Sequence, residues 1–331
     1  MKEVYFIIPE FDQSITGGTL YDNNLALELK KLRIPIKEVR VRYNINVILL
    51  HKKINKIPKS STILIDGYLV NKLRTRVINR LNILIHHPCS MEISNNQMSN
   101  INLYLSERKA FNAAESLITV SKTMKRVLQK YLGKYKNICV AYPGIDKKFC
   151  KQEIDRYSRN ILSVGNVIPR KGYHILIEAL KKVTEDWTLT IVGNHEMDKT
   201  YYDNLKRLII KNEMQDRIEF KGSMKPNEII AEIKKSKFFI LLTKYEGFGM
   251  SIAECAAAGL EIITTDLPVL REVLGNYPVD FVDLRDPDNI SNKINEKLSR
   301  NSVNGKNKDI FYTWPDTAKK IKRFYEKRIF Y

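Results

Sequence analysis

Glu246 and Glu254, separated by seven residues in Tyr245-Glu-Gly-Phe-Gly-Met-Ser-Ile-Ala-Glu254-Cys-Ala-Ala-Ala-Gly259, are the side chains best spaced to do chemistry together. They follow the apolar run Phe238 to Leu242, so the pattern reads as a strand, a tight glycine loop and a helix of small residues. Backbone amides at such a helix start suit a phosphate. With Glu246 in the loop and Glu254 one or two turns into the helix, two carboxylates reach one cleft at different depths. They can divide acid and base work, or hold two hydroxyl-bearing groups.

Two further loops repeat the strand-to-helix transition. Ser14-Ile-Thr-Gly17-Gly18-Thr19 follows the first strand, where the backbone can approach an anion or simply turn. Ser163-Val-Gly165-Asn-Val-Ile-Pro-Arg170-Lys171-Gly172 adds two adjacent cations, of which Arg can grip phosphate oxygens bidentately and Lys adds a point charge. A diphosphate held between this loop and Gly247-Phe-Gly249 is chemically reasonable. Ile85-His86-His87-Pro88 ends another strand. Paired imidazoles there suggest a hydrogen-bonding or acid-base role, or a structural one; no nearby carboxylate or thiol pattern completes a metal site. The chain lacks G-x-G-x-x-G after its first strand and lacks a P-loop, G-x-S-x-G or H-E-x-x-H, which argues against dinucleotide, P-loop, serine hydrolase and zinc protease chemistry.

The elements that must position these residues alternate. Strand-like segments at Val4–Ile8, Val47–Leu50, Thr62–Ile65, Asn82–Ile85, Ser116–Val120 and Asn137–Ala141 are interleaved with helical patterns at Thr19–Leu32, Leu103–Ala114 and Lys122–Tyr131. A second series runs from Asn160–Val164 to Glu261–Thr265. Alternation of this kind implies α/β architecture with parallel sheets, here two doubly wound units binding ligands at the carboxyl ends of their strands. Lys147 to Arg159 reads as a polar linker and Asp316 to Tyr331 as a basic terminal helix. The expected domains are 1–152, 153–310 and a C-terminal helix within 311–331.

Composition bounds the partners. A chain of 331 residues with 44% hydrophobic content is ordinary for a globular protein of two cores. No apolar run approaches the roughly 18 to 20 residues of a membrane span, and the N-terminus enters a strand directly, so a cytoplasmic protein is expected. Cys89, Cys139, Cys150 and Cys255 form no C-x-x-C pair and read as reduced thiols. The net charge is +19, and Lys30 to Arg80 contains fourteen Lys and Arg against Glu38 and Asp66 alone. Such an excess is either a solvated surface or a contact for anionic lipid; nucleic acid is not expected, because no recognition motif accompanies the charge.

Taken together, Ser163-Val-Gly-x-x-x-Pro-Arg-Lys-Gly172, Thr190-Ile-Val-Gly193, Ile218-Glu-Phe-Lys-Gly222, Glu246-Gly-Phe-Gly-Met-Ser-Ile-Ala-Glu254 and Gly259 resemble the donor half of the family 4 retaining glycosyltransferases. The Gly17-Gly18 loop, His86-His87-Pro88, Ser121 and Tyr142-Pro-Gly-Ile-Asp146 are similar to that family's acceptor half. The resemblance implies a GT-B fold: two Rossmann-like domains facing a central cleft, with a C-terminal helix, preceded by Phe311-Tyr-Thr-Trp314, crossing back to the first domain. It implies a metal-independent transfer of a sugar from a UDP- or GDP-sugar to a glycan or lipid-linked acceptor, with no other cofactor. Glu246, Arg170, Lys171 and His86 would act at the reacting centre. Gly17, Gly18, His87, Phe248, Gly249, Met250 and Glu254 would hold the donor, Glu254 through its ribose hydroxyls. Many members carry Arg where this chain has Asn166, which leaves the phosphates to Arg170 and Lys171. The competing readings are a nucleotide-sugar epimerase of the same fold and a noncatalytic basic binder of membrane or nucleic acid. A peripheral position on the inner face of the membrane would accompany a lipid-linked acceptor.

Overall fold

The computed structural model describes residues 3–11, 16–73, 77, 79–92, 97–133, 137–155, 157–300 and 312–329. Ser14, Ile15, Phe311 and the 310/311 boundary named above lie outside them. The chain divides into two compact units, Met1–Gly144 with Tyr312–Tyr331, and Ile145–Phe311. In the first, β1 (Val4–Glu10), α1 (Gly17–Lys31), β2 (Ile36–Arg42), α2 (Val47–Ile54), β3 (Thr62–Asp66), β4 (Arg80–Ile85), α3 (Gln97–Ala113), β5 (Ser116–Thr119), α4 (Lys122–Leu132) and β6 (Ile138–Val140) build a parallel sheet of order β2-β1-β3-β4-β5-β6. In the second, β7 (Asn160–Val164), α5 (Tyr173–Leu180), β8 (Thr188–Val192), α6 (Lys199–Lys211), β9 (Ile218–Gly222), α7 (Pro226–Lys234), β10 (Phe238–Leu241), α8 (Met250–Ala258), β11 (Glu261–Thr265), α9 (Pro268–Leu274), β12 (Val279–Val282) and α10 (Pro287–Ser299) give the order β12-β11-β10-β7-β8-β9. The last helix, α11 (Trp314–Ile329), returns to the first unit.

Both orders reverse direction once, between β1 and β3 and between β7 and β10. Parallel strands covered on both faces must be apolar along their whole length, and the central ones are: Ile63, Leu64 and Ile65 of β3, and every residue of β10, are buried. Loops after the two strands flanking a reversal lead away from each other and leave a crevice at the strand ends. In the first unit those loops open α1 and follow Asp66; in the second they are 165–172 and 242–249.

The expected strand at Val47–Leu50 is a helix. Asn46 caps it, its Oδ1 accepting from the Leu49 amide at 2.9 Å, and the apolar residues continue to Ile54 at helical spacing, with Leu50 and Ile54 buried. The strand belonging there is β2, whose Ile36-Lys-Glu-Val-Arg-Val-Arg42 alternation is masked by four charges because it lies at the sheet edge. The stretch beginning at Lys147 lies against the second unit: the amides of Lys151 and Gln152 donate to the carbonyls of Ala257 and Ala258. The segments α9, β12 and α10 extend that sheet beyond Thr265. Lys297 of α10, 4% exposed, bridges Glu261 and Asp280 at 2.6 Å each and anchors this extension.

The return of α11 is built on close approach. Trp314 packs edge-on against Tyr21 of α1 with ring centroids 5.5 Å apart, Tyr142 stacks on Tyr312 at 4.4 Å, and Thr317 Oγ1 donates to the Tyr142 carbonyl at 2.6 Å. A Cβ on Gly144 would lie 2.2 Å from the Trp314 amide nitrogen, so only glycine lets the two backbones meet. Among the described residues no helix is long and apolar enough to cross a membrane. Gly144→Ala should therefore loosen α11, raising its amide hydrogen exchange. Gly133→Ala, whose Cβ meets nothing within 4 Å, should cost only about 1 kcal/mol of backbone strain and leave α11 protected.

Candidate functional site

In the second unit the two loops flanking the sheet reversal are locked together. Gly172 sits at φ +71°, and a Cβ there would fall 2.1 Å from the Leu242 carbonyl oxygen, so the start of α5 passes directly over the end of β10. The Lys244 amide donates to the Arg170 carbonyl at 2.8 Å, and Arg170 Nη1 donates to the Tyr245 carbonyl at 2.6 Å. That crossing carries Lys171 Nζ to 2.7 Å and Arg170 Nη1 to 3.4 Å from Oε1 of Glu246, whose side chain is 10% exposed. Burial pushes the Glu246 carboxyl up, but the charges of Lys171 and Arg170 overcome this and hold it below its ordinary range. The carboxylate stays ionised, and the cluster carries one surplus positive charge.

The first turn of α8 begins beside this cluster at Gly249 and has no side-chain cap. Its orphan amides are a feature suited to anions or to acceptor oxygens. Phe248 and Gly249 are buried and Met250 partly so. Glu254, in the second turn, is partly buried and has no hydrogen-bond partner among the described residues. Burial, with the Asp146 charge adding to it and Lys148 opposing, pushes its carboxyl up to about 8. Asn166 is occupied structurally, accepting at Oδ1 from the Asn194 amide at 3.3 Å.

In the first unit His86 follows β4, Asp66 ends β3 and Asp22 lies on α1. His86 Nε2 is 3.1 Å from Asp66 Oδ2 and 3.2 Å from Asp22 Oδ1. Both carboxylates are nearly fully buried, while 18% of the imidazole is exposed. Burial opposes a charge on His86, yet the hydrogen bonds and charges of Asp22 and Asp66 push its pKa up to about 10. Burial raises both acids, but His86 overcomes it at Asp66, which is held below its ordinary range, whereas Asp22, beside the Asp66 charge, is pushed well up; the arrangement favours an imidazolium answered chiefly by the Asp66 carboxylate. Gly18, beside Gly17 in the first turn of α1, gives it room: a Cβ there would lie 3.1 Å from the ring. His87 turns instead to Glu92, with Nε2 at 2.9 Å. Buried Glu107 accepts from the amides of Cys89 and Ser90 and fixes the loop that follows.

Asp22, Asp66 and His86 also place one ligand atom each within 4.8 Å of one another, close enough to hold a cation. A proton on Nε2, facing both oxygens, accounts for the same geometry through hydrogen bonds. Sequence reasoning passed over both acids. Asp22 falls on the buried stripe of α1 with Tyr21, Leu25, Ala26 and Leu29, and Asp66 closes an otherwise apolar strand. A charged residue on an apolar face is the signal that marks such positions.

The family model described as glycosyl transferases group 1 matches residues 145–310. The GDP-mannose:cellobiosyl-diphosphopolyprenol alpha-mannosyltransferase of Xanthomonas oryzae pv. oryzae is 30% identical over 129 residues, covering 38% of this chain and 33% of the relative. The chain spans about a third to three fifths of the length of the first curated relatives it matches. Among solved structures, sucrose-phosphate synthase from Thermosynechococcus elongatus superposes with a TM-score of 0.83 at 15% identity over 99% of both chains. Anabaena HepE in complex with UDP and glucose gives 0.77 at 15% identity, over 99% of this chain and all of that one. These likenesses establish the GT-B fold.

His86 should stay protonated well above neutral pH. In a long-range nitrogen-proton NMR titration its imidazole should remain cationic through pH 8, and Asp22→Asn should lower its midpoint by at least about one unit. A midpoint near the ordinary histidine value, or resonances that shift on adding a chelator, would contradict the hydrogen-bonded arrangement.

Proposed function

The chain belongs to the glycosyl transferases group 1 family, and on that footing we propose that it transfers a hexose from a nucleotide diphosphate sugar to an acceptor hydroxyl with retention of configuration. The observation that carries the reading is the joining of Lys171, Arg170 and Glu246 at the reversal of the second sheet, beside the uncapped start of α8. Arg170 and Lys171 take the diphosphate. As the bond from the anomeric carbon to the phosphate oxygen breaks, negative charge grows on the leaving group and the two cations stabilise it in place. Glu246 and the amides of Phe248, Gly249 and Met250 address the transferred hexose. Glu254, with unengaged oxygens, accepts hydrogen bonds from the ribose hydroxyls. Departing phosphate oxygen can itself take the acceptor proton, so no side chain is assigned as base.

In the N-terminal unit, His86 as an imidazolium donates to the sugar, His87 contributes to holding the donor, and Gly17 and Gly18 give backbone access. The donor base is uracil or guanine; the Xanthomonas relative is named for GDP-mannose and HepE was solved with UDP. The acceptor is a glycan or lipid-linked glycan, as the diphosphopolyprenol in that relative's name suggests. The reaction is cytoplasmic, with the chain peripheral on the inner membrane face when its acceptor is a lipid.

Donor binding should depend on pH through Glu254. Its carboxyl, raised to about 8 without ligand, must lose a proton to accept two ribose hydroxyl bonds. Affinity for UDP-glucose or GDP-mannose should thus rise between pH 6 and 8 by up to about tenfold per pH unit and level off above. Calorimetry should detect proton release to the buffer, and Glu254→Gln should abolish both effects. Failure of wild type to bind any UDP- or GDP-sugar would overturn the reading. Lys171→Ala should lower kcat on the order of 100-fold while raising the donor KM much less, since its charge matters most as the diphosphate departs. A rise in KM alone would remove Lys171 from that role, and sugar isomerised without acceptor would mark an epimerase.

A further inference from the structure

The first unit carries a second concave feature, removed from the His86 cluster along the sheet edge. A depression of about 640 Å³ lies between the end of β2 and α2. Its lining includes Arg42, Lys52, Lys53 and Lys56, for which no ion-pair partner exists among the described residues. Arg40 also borders it but is engaged by Glu38. Glu10 is the one acid in the lining, 4.0 Å from Arg40. Four uncompensated cations around one hollow repel each other, an arrangement that an anion relieves.

The helix forming one wall adds an apolar element. Leu50 and Ile54 of α2 face the core, while Ile48 is 78% and Leu49 49% exposed. Each exposed residue has a lysine one helical turn later, Lys52 after Ile48 and Lys53 after Leu49. A short helix presenting apolar side chains beside lysines, next to a basic hollow, matches a membrane interface, where aliphatic groups enter the acyl boundary and ammonium groups reach phosphates. Inorganic phosphate leaves Ile48 and Leu49 unexplained. Single-stranded nucleic acid finds no aromatic ring in the lining on which to stack.

We propose that this hollow binds the phosphate of an anionic lipid headgroup while Ile48 and Leu49 enter the apolar layer, so that α2 docks the chain on a membrane. The inference rests on the lipid-facing part of the function proposed above and locates the surface responsible. Sedimentation of the full chain with phosphatidylcholine vesicles, with or without phosphatidylglycerol, tests it. Binding should require phosphatidylglycerol. Lys52→Ala/Lys53→Ala/Lys56→Ala should weaken it on the order of a hundredfold, while removal of three exposed lysines from the second unit, Lys199, Lys211 and Lys234, should weaken it far less. Ile48→Ser/Leu49→Ser should abolish whatever binding survives high salt. Equal losses from the two lysine triples would reduce the effect to net charge and overturn the site. Unchanged salt-resistant binding without Ile48 and Leu49 would overturn insertion, and binding of pyrophosphate or RNA without any binding of vesicles would replace the lipid. Thermal shift with UDP and GDP on each variant reports folding and the donor site separately, so loss of docking is distinguishable from failure of the transferase reading.

Discussion

A carboxylate taken out of water at the end of a buried strand must take a cation with it, and the pairing of Glu246 with Lys171 and Arg170 meets that requirement. The partners come from different loops, so the ion cluster is also a mechanical joint. It works with the crossing of Gly172 over Leu242 and the backbone bonds between Arg170, Lys244 and Tyr245 to make loops 165–172 and 242–249 one body. The starts of α5 and α8 are fixed by the same contacts. Removing Lys171 would therefore do more than delete a charge: it would leave a buried carboxylate compensated only by Arg170 at 3.4 Å.

The first unit solves the inverse problem with the inverse set. There a partly buried imidazole is held by two buried acids, Asp66 as the carboxylate and Asp22 with its carboxyl pushed well up, brought together by three different elements, α1, β3 and β4. Each cluster keeps a group of interest ionised against desolvation, Glu246 as an anion and His86 as a cation. Glu254 breaks this pattern. It has no cation in hydrogen-bond reach, its carboxyl is pushed up to about 8, and nothing in the described protein occupies its oxygens. A group left uncompensated while its neighbours are paired is suited to a partner from outside the chain, which is the role proposed for Glu254, whereas Glu246 joins the two loops as well as facing the proposed hexose site.

What was legible in the sequence follows from which physical signals are local. The apolar runs of β1, β3, β4, β7, β8, β10 and β11 announced themselves, because strands of a buried parallel sheet need no polar alternation. The glycine loops placed Arg170, Lys171 and Glu246 at strand ends, although not in mutual contact, since the crossing at Gly172 is a tertiary event. β2 escaped because an edge strand tolerates the charges that its pattern was judged by, and Val47 to Leu50 was mistaken for a strand because four apolar residues fit either period. Asp22 and Asp66 escaped for a related reason. Their significance lies in burial next to His86, sixty-four and twenty residues away, which no spacing rule encodes.

Burial also changes how the +19 charge is to be understood. Among the described residues of the first unit the buried charged side chains are Asp22, Glu28, Asp66 and Glu107, all acidic, whereas its lysines and arginines all reach solvent. Negative charge is thus withdrawn into paired or capping roles inside the unit, and the solvent-facing layer is more basic than the sequence total conveys. Lys31 reaches the buried Glu28, and Lys30, Lys37 and Arg40 are answered by Glu38 and Glu3 nearer the surface. Those along α2 are not. Uncompensated cations therefore gather around the hollow between the end of β2 and α2, at an edge whose pairing makes no use of these charges, so the basic character there is a property of the surface rather than a requirement of the fold.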